Sequence, residues 1–226
     1  MFTWVVFNFR NLILEIMGKA IWGPFGPVTG RVGKLVYYRV NGVQRVRTIG
    51  KLTAPPSLAQ LRARLELKVM IGFLKLMTEF LNVGFKVAPG SNKSPFNVAT
   101  SYNIRHGLTG VYPDISIDFS KVRLSMGNVE PAVNLSVVLG DVGLVFSWDG
   151  TIPQYYPSPT DQTIVLAFFP VQNKVVYGLY GARRLDGTVV LEIPDDLIAE
   201  SMEVYFAFVS ADRKRGSDSV YLGRVN

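Results

Sequence analysis

The sequence predicts an α+β protein in which an N-terminal β-hairpin, a long helix and a short helix precede a C-terminal β-sandwich. Three observations carry this expectation. An Asn-Gly pair joins two strand-like runs in "VYYRVNGVQRVR", a capped helical stretch beginning at Ser57 is apolar along two stripes, and short apolar runs alternate with turn residues after position 128. The 226 residues suffice for two modest domains. With 48% hydrophobic and 18% charged residues, the composition is that of a folded chain.

The opening "MFTWVVFNFRNLILEIMGKA" has no basic residue ahead of its apolar run, and Arg10 and Glu15 interrupt it. It therefore fits neither a signal peptide nor a spanning helix, which needs about 20 apolar residues. "MGKAIWGPFG" reads as a natural start at Met17, which makes residues 1–16 an upstream extension and the chain a cytoplasmic one. "IWGPFGPVTGRVGK" is rich in Gly and Pro and reads as an irregular lead-in.

The hairpin follows. Asn41-Gly42 allows positive φ at both central turn positions, the strongest short-range hairpin signal. Counting outward pairs Val40 with Val43, Tyr38 with Arg45 and Val36 with Arg47, and puts Leu35, Tyr37, Arg39, Gln44 and Val46 on the other face. Both faces are mixed.

Ser57 with Gln60 three residues on forms a capping-box pattern. Leu58, Leu61, Leu65, Val69, Phe73, Leu76 and Phe80 then recur at helical spacing, and Leu67, Met70, Leu74, Met77 and Leu81 make a second stripe. A helix apolar on that much of its circumference is buried on more than one side. Gly84 is its expected end. A shorter helix starts at the N-cap Ser94 with Pro95 in the first turn and stops at Gly107. Ile115, Ile117 and Phe119 alternate as in a strand.

A boundary is expected near residue 128, dividing a basic hairpin-helix domain (17–128) from an acidic sandwich domain (129–226). Seven short strands are expected in the second. Trp148 closes the second strand and Tyr205 stands early in the sixth, both as core residues. Those positions resemble the core tryptophan and tyrosine corner of a fibronectin type III module, so the resemblance implies that topology for the C-terminal half.

Catalytic constellations are scarce. There is no cysteine, which excludes thiol nucleophiles, disulfides and thiolate metal sites. His106 is the only histidine and sits at a helix end, where it suits the last carbonyls. A two-histidine or zinc motif is thereby excluded, and the phosphate-loop, dinucleotide and G-x-S-x-G signatures are missing. Asp114, Asp118, Asp149, Asp161 and Asp195-Asp196 fall at strand ends and turns, where carboxylates face water. A carbohydrate site would need a cleft lined by Trp148, Tyr155 or Tyr156 with two facing carboxylates. No enzyme, cofactor, metal or small-molecule substrate is expected.

Charge is the more informative feature. Residues 1–128 hold 17 Lys or Arg against 5 Asp or Glu, and residues 129–226 hold 7 against 12, so the two stretches carry +12 and −5. Such asymmetry points to an anionic partner or to contact between unlike parts of neighbouring copies. The candidate binding residues are Lys34, Tyr38, Arg39, Arg45, Arg47, Lys51, Arg62 and Arg64. Their cations can neutralise phosphates and tyrosine can stack a base, but no RNA-binding or helix-turn-helix signature accompanies them.

"GPFGPVTGRVGKLVYYRVNGVQRVRTIGK", "PPSLAQLRAR", "SPFNVATSYNIRHGLTGVYPDISIDFSKVRLSMG" and "AFVSADRKRGSDSVYLG" together resemble an uncharacterised Bacteroidota family, a domain of unknown function. The resemblance starts at Met17 and implies no activity, cofactor or catalytic residue. The order "GRVGKLVYYR", "QRVRT", "PPSLAQLRAR" is also similar to small proteins encoded among phage virion genes. The expected function is a non-catalytic structural or interaction protein that self-assembles or docks to a protein partner. Nucleic acid or another polyanion is the alternative partner.

Overall fold

The computed structural model describes residues 19–20, 28–40, 42–51, 54–86, 93–150 and 158–226. The expectation of an extension over 1–16 and a start at Met17 lies outside the described residues. The chain divides into two units between Pro56 and Ser57.

The first unit is an antiparallel meander of β1 (Lys19–Ala20), β2 (Val28–Val32), β3 (Leu35–Val40) and β4 (Val43–Thr48), ordered as in the chain. The β3–β4 register places Val40 against Val43, Tyr38 against Arg45 and Val36 against Arg47, as counting from the turn predicts. The stretch expected to be an irregular lead-in instead supplies β2. It joins β3 through a tight turn in which Gly33 takes φ 59°, a conformation nearly free for glycine.

The second unit begins with α1 (Leu58–Leu74), whose Ser57 hydroxyl accepts from the Gln60 amide while the Gln60 side chain accepts from the Ser57 amide. The long helix expected to reach Gly84 is interrupted by a 3-10 turn at Lys75–Met77, after which α2 (Thr78–Gly84) continues. The Thr78 hydroxyl donates to the Lys75 carbonyl at 3.0 Å, where the ladder is broken. Ser94 caps α3 (Pro95–His106), which ends at Gly107 as expected. A small hairpin, β5 (Leu108–Val111) with β6 (Asp114–Ile117), follows.

Seven strands complete the unit: β7 (Ser136–Leu139), β8 (Gly143–Ser147), β9 (Gln162–Phe169), β10 (Lys174–Gly178), β11 (Thr188–Glu192), β12 (Met202–Val209) and β13 (Val220–Val225). They form a four-stranded sheet ordered β10-β9-β12-β13 and a three-stranded sheet ordered β11-β8-β7. The two sheets enclose a core of Leu144, Phe146, Trp148, Val165, Phe169, Leu191, Val204, Phe206 and Phe208. On the far face of the four-stranded sheet, Ile164, Leu166, Phe168, Tyr205 and Val209 pack with Met70, Phe73, Leu74, Met77, Phe80 and Leu81 of the helices.

The four-stranded sheet is thus a middle layer, buried on both sides. This is why "TIVLAFF" and "VYFAFV" lack the polar alternation of a sheet with one wet face. It also corrects the boundary expected near 128. The helices share a core with β9 and β12, and the chain divides at Pro56 instead. Among the described residues no helix is long and apolar enough to cross a membrane.

Trp148 and Tyr205 are both buried. Trp148 lies between the sheets, and its indole N–H donates to the Arg184 carbonyl at 2.7 Å. Tyr205 departs from the tyrosine-corner expectation. It points to the helical side, and its hydroxyl donates to the carbonyl of Phe119, a residue from before the sandwich, at 2.7 Å. Burial drives its hydroxyl pKa far up.

A buried ion pair packs against the sandwich core. Arg184 and Asp161 are 4% and 2% exposed, with Nη2 and Oδ2 3.5 Å apart. The guanidinium also donates to the carbonyls of Glu130 (2.6 Å) and Pro131 (3.3 Å) and stacks 3.7 Å from the Phe208 ring centroid. Burial pushes the Asp161 carboxyl up, against the pull of Arg184. Replacing Arg184 with Ala strands the carboxylate and should cost about 3–5 kcal/mol, read as a lower urea midpoint. The apolar pair Arg184→Met with Asp161→Leu should recover most of that loss.

Candidate interaction surface

The division at Pro56 redraws the charge map. Residues 1–56 hold eight Lys or Arg against one Glu, a net +7. Residues 57–226 hold sixteen of each sign, a net zero. The whole excess therefore sits in the small unit, where the sequence contains no carboxylate between Lys19 and Pro56. The +12 and −5 split at 128 does not follow the structural units.

The registers sort that unit's side chains onto two faces. On one, Arg31, Val36 and Arg47 form a row across β2, β3 and β4. The pair Tyr38 and Arg45 makes the next row, and Val40 with Val43 the one at the tip. Strands about 4.8 Å apart hold the two outer arginines of the first row about 10 Å apart at Cα. The other face carries Val32, Leu35 and Thr48, then Tyr37 and Val46, then Arg39 and Gln44. None of the unit's described side chains is buried. Val32, Leu35, Tyr38, Val40, Val43, Val46 and Ile49 are all exposed, Val43 at 57% and Val46 at 54%.

The expected site residues are therefore only partly assembled. Tyr38, Arg45 and Arg47 share a face. Arg39 lies on the opposite one, its Nε donating to the Gly42 carbonyl at 2.8 Å. Lys34 occupies the β2–β3 turn, and Lys51 follows β4. Arg62 and Arg64 belong to α1 in the other unit, and Arg62 is bound to Glu66 at 2.8 Å. Arg31 joins the face of Tyr38, Arg45 and Arg47 from β2, in a stretch the sequence presents as a loop. The signal for it was the two-residue Gly33-Lys34 turn ahead of β3.

A second polar feature is a cleft of about 380 Å³ lined by Tyr102, His106, Ser120, Lys121, Val122, Arg123, Ser219 and Tyr221. The His106 ring lies 4.6 Å from that of Tyr102, and the Arg123 guanidinium lies 5.1 Å from the same ring. Lys121 and Arg123 are held by Asp118 (2.7 Å) and Asp218 (2.6 Å). Behind Tyr221, the buried Glu203 accepts from its hydroxyl and from Nε and Nη2 of Arg224. The cleft contains the histidine but no carboxylate among its lining residues. The carbohydrate arrangement is not formed around Trp148, which is core; Tyr155 and Tyr156 lie outside the described residues. Among the described residues no group of three His, Cys, Asp or Glu could hold a metal ion.

Fold and surface together define an α+β protein with a layered α/β/β body and a separate, wholly basic β-sheet. Residues 27–223 match the Family of unknown function (DUF6266), and the chain belongs to that family. No curated protein and no solved structure matches it.

Burial and the Glu203 carboxylate push the Tyr221 hydroxyl up to about 12. A pKa raised above the unfolded value near 10 means stability that is complete below that pH and lost as the pH climbs through 12. Alkaline unfolding curves should therefore flatten between those pH values in Tyr221→Phe, and the tyrosinate absorbance step near pH 12 should disappear.

Proposed function

We propose that this protein is a non-catalytic structural or interaction protein that docks through its N-terminal basic sheet, to a protein partner or to its own kind. The observation that carries the reading is the exposure of that sheet on both faces. Exposed valines, leucine and tyrosine beside a set of unopposed cations are what a protein contact surface offers. A small sheet whose described side chains are all at least partly exposed gains apolar burial by docking on a partner. The strand orders β10-β9-β12-β13 and β11-β8-β7 support a fibronectin type III-like body, a scaffold that presents surfaces. The resemblance of "GRVGKLVYYR", "QRVRT" and "PPSLAQLRAR" to small proteins encoded among phage virion genes fits assembly into a larger particle in the cytoplasm.

The second reading is a polyanion, favoured by Arg31, Arg45 and Arg47 sharing one face with Tyr38. Sedimentation at low salt and filter binding with single-stranded DNA test the pair of readings together. Species above the monomer should form and vanish in Arg31→Glu/Arg45→Glu/Arg47→Glu. If DNA is retained instead, three phosphate contacts should give a slope of log K against log salt of about −2. A wild type that stays monomeric and retains no DNA overturns self-docking and the polyanion reading.

A further inference from the structure

The outer face of the three-stranded sheet is a second exposed apolar surface, with charge opposite to that of the basic sheet. Strand registers set Val138, Val145 and Val190 in one row across β7, β8 and β11, with Ser136, Ser147 and Thr188 in the next. Val138 is 65% exposed, Val190 48%, and Val142 in the β7–β8 turn 62%. Beside this row stand the exposed carboxylates of Glu192, at the end of β11, and Asp141, next to Val142. From 129 to 200 the sequence holds nine Asp or Glu against three Lys or Arg. One of each sign, Asp161 and Arg184, is withdrawn into the buried pair.

We infer that the partner of the basic sheet is a second copy of this chain, whose valine row over β7, β8 and β11 receives the Arg31, Val36, Tyr38, Arg45, Arg47 face. This rests on the reading of that sheet as a docking element and names what it docks on. Both surfaces span three antiparallel strands, β2 to β4 on one and β7, β8 and β11 on the other, and can stack about 10 Å apart as sandwich layers do. Val36, Tyr38, Val40 and Val43 then cover Val138, Val142, Val145 and Val190, and the arginines meet Glu192 and Asp141. Two basic faces repel one another, as do two acidic ones, so the favoured contact joins unlike faces. An interface between unlike faces extends into a chain or closes as a ring. A patch this size is weak taken singly, so assembly rises with concentration and falls with salt.

The full-length protein tests this by sedimentation velocity and light scattering with two face-specific variants. Arg45→Glu/Arg47→Glu blocks the basic face, and Val138→Lys/Val190→Lys blocks the valine row. Wild type should grow beyond the dimer with concentration, and each variant alone should remain monomeric. An equimolar mixture, which retains one intact face of each kind, should stop at a one-to-one dimer. Because lysines on β7 and β11 can weaken the strands, a second variant joins Arg45→Glu/Arg47→Glu to Asp141→Lys/Glu192→Lys in one chain. Its reversed charges should restore assembly. Assembly by either blocked variant alone overturns the inference. So does a mixture that stays monomeric while wild type assembles; the docking role of the sheet then stands if Arg45→Glu/Arg47→Glu alone is monomeric. A monomeric wild type that retains DNA through the arginines overturns the self-contact and leaves the polyanion reading. A monomeric wild type without DNA binding ends both.

Discussion

Two-sided burial of β9 and β12 is the constraint on which the body depends. Every residue of β12 is buried, with successive side chains facing the helices and the opposing sheet in turn. Neither the helical layer nor the three-stranded sheet packs on the other; each uses a face of the same two strands. The one charged residue in β12, Glu203, is tolerated because Arg224 and Tyr221 on neighbouring β13 satisfy its carboxylate. Removing apolar bulk from these strands therefore loosens two cores at once.

The helical layer and the sandwich are also stitched through the backbone. Ser125 donates to the carbonyls of Gly84 (3.1 Å) and Ser217 (2.7 Å), and the Met126 amide donates to Gly84. Bridges pair Phe85 with Met126 and Val129 with Ser217. The chains approach so closely that a Cβ on Gly127 would overlap the Gly216 carbonyl. This crossing ties the end of α2, the lead into the sandwich and the β12–β13 loop into one body.

The contrast between the two units organises the functional reading. The body is neutral overall and encloses two buried apolar cores. The small unit is basic and has none of its described side chains buried. A sheet of that kind keeps its shape through backbone pairing and turn geometry while its side chains remain available. On the body, Val138 and Val190 are exposed on β7 and β11, beside the carboxylates of Asp141 and Glu192.

Local signals were legible wherever the physics is local. The Asn-Gly turn fixed the β3–β4 register, Ser57 with Gln60 and Ser94 with Pro95 set two helix starts, and spacing of apolar runs gave all seven sandwich strands. Arg45 and Arg47 were placed on one face with Tyr38 because a strand's period is two. Tertiary structure decided the rest. β2, which carries Arg31, is not legible locally, because Gly and Pro around a tight turn mimic a loop. The boundary near 128 followed a change in pattern, but domain division follows shared burial, and the partners of Phe73 and Phe80 lie on strands far along the chain. Tyr205 was legible as core; only packing showed that its hydroxyl reaches Phe119 across layers. Sequence by itself determines periodicity, capping and turn chemistry, which depend on near neighbours. Which faces meet depends on long-range contacts that one chain's order does not encode residue by residue.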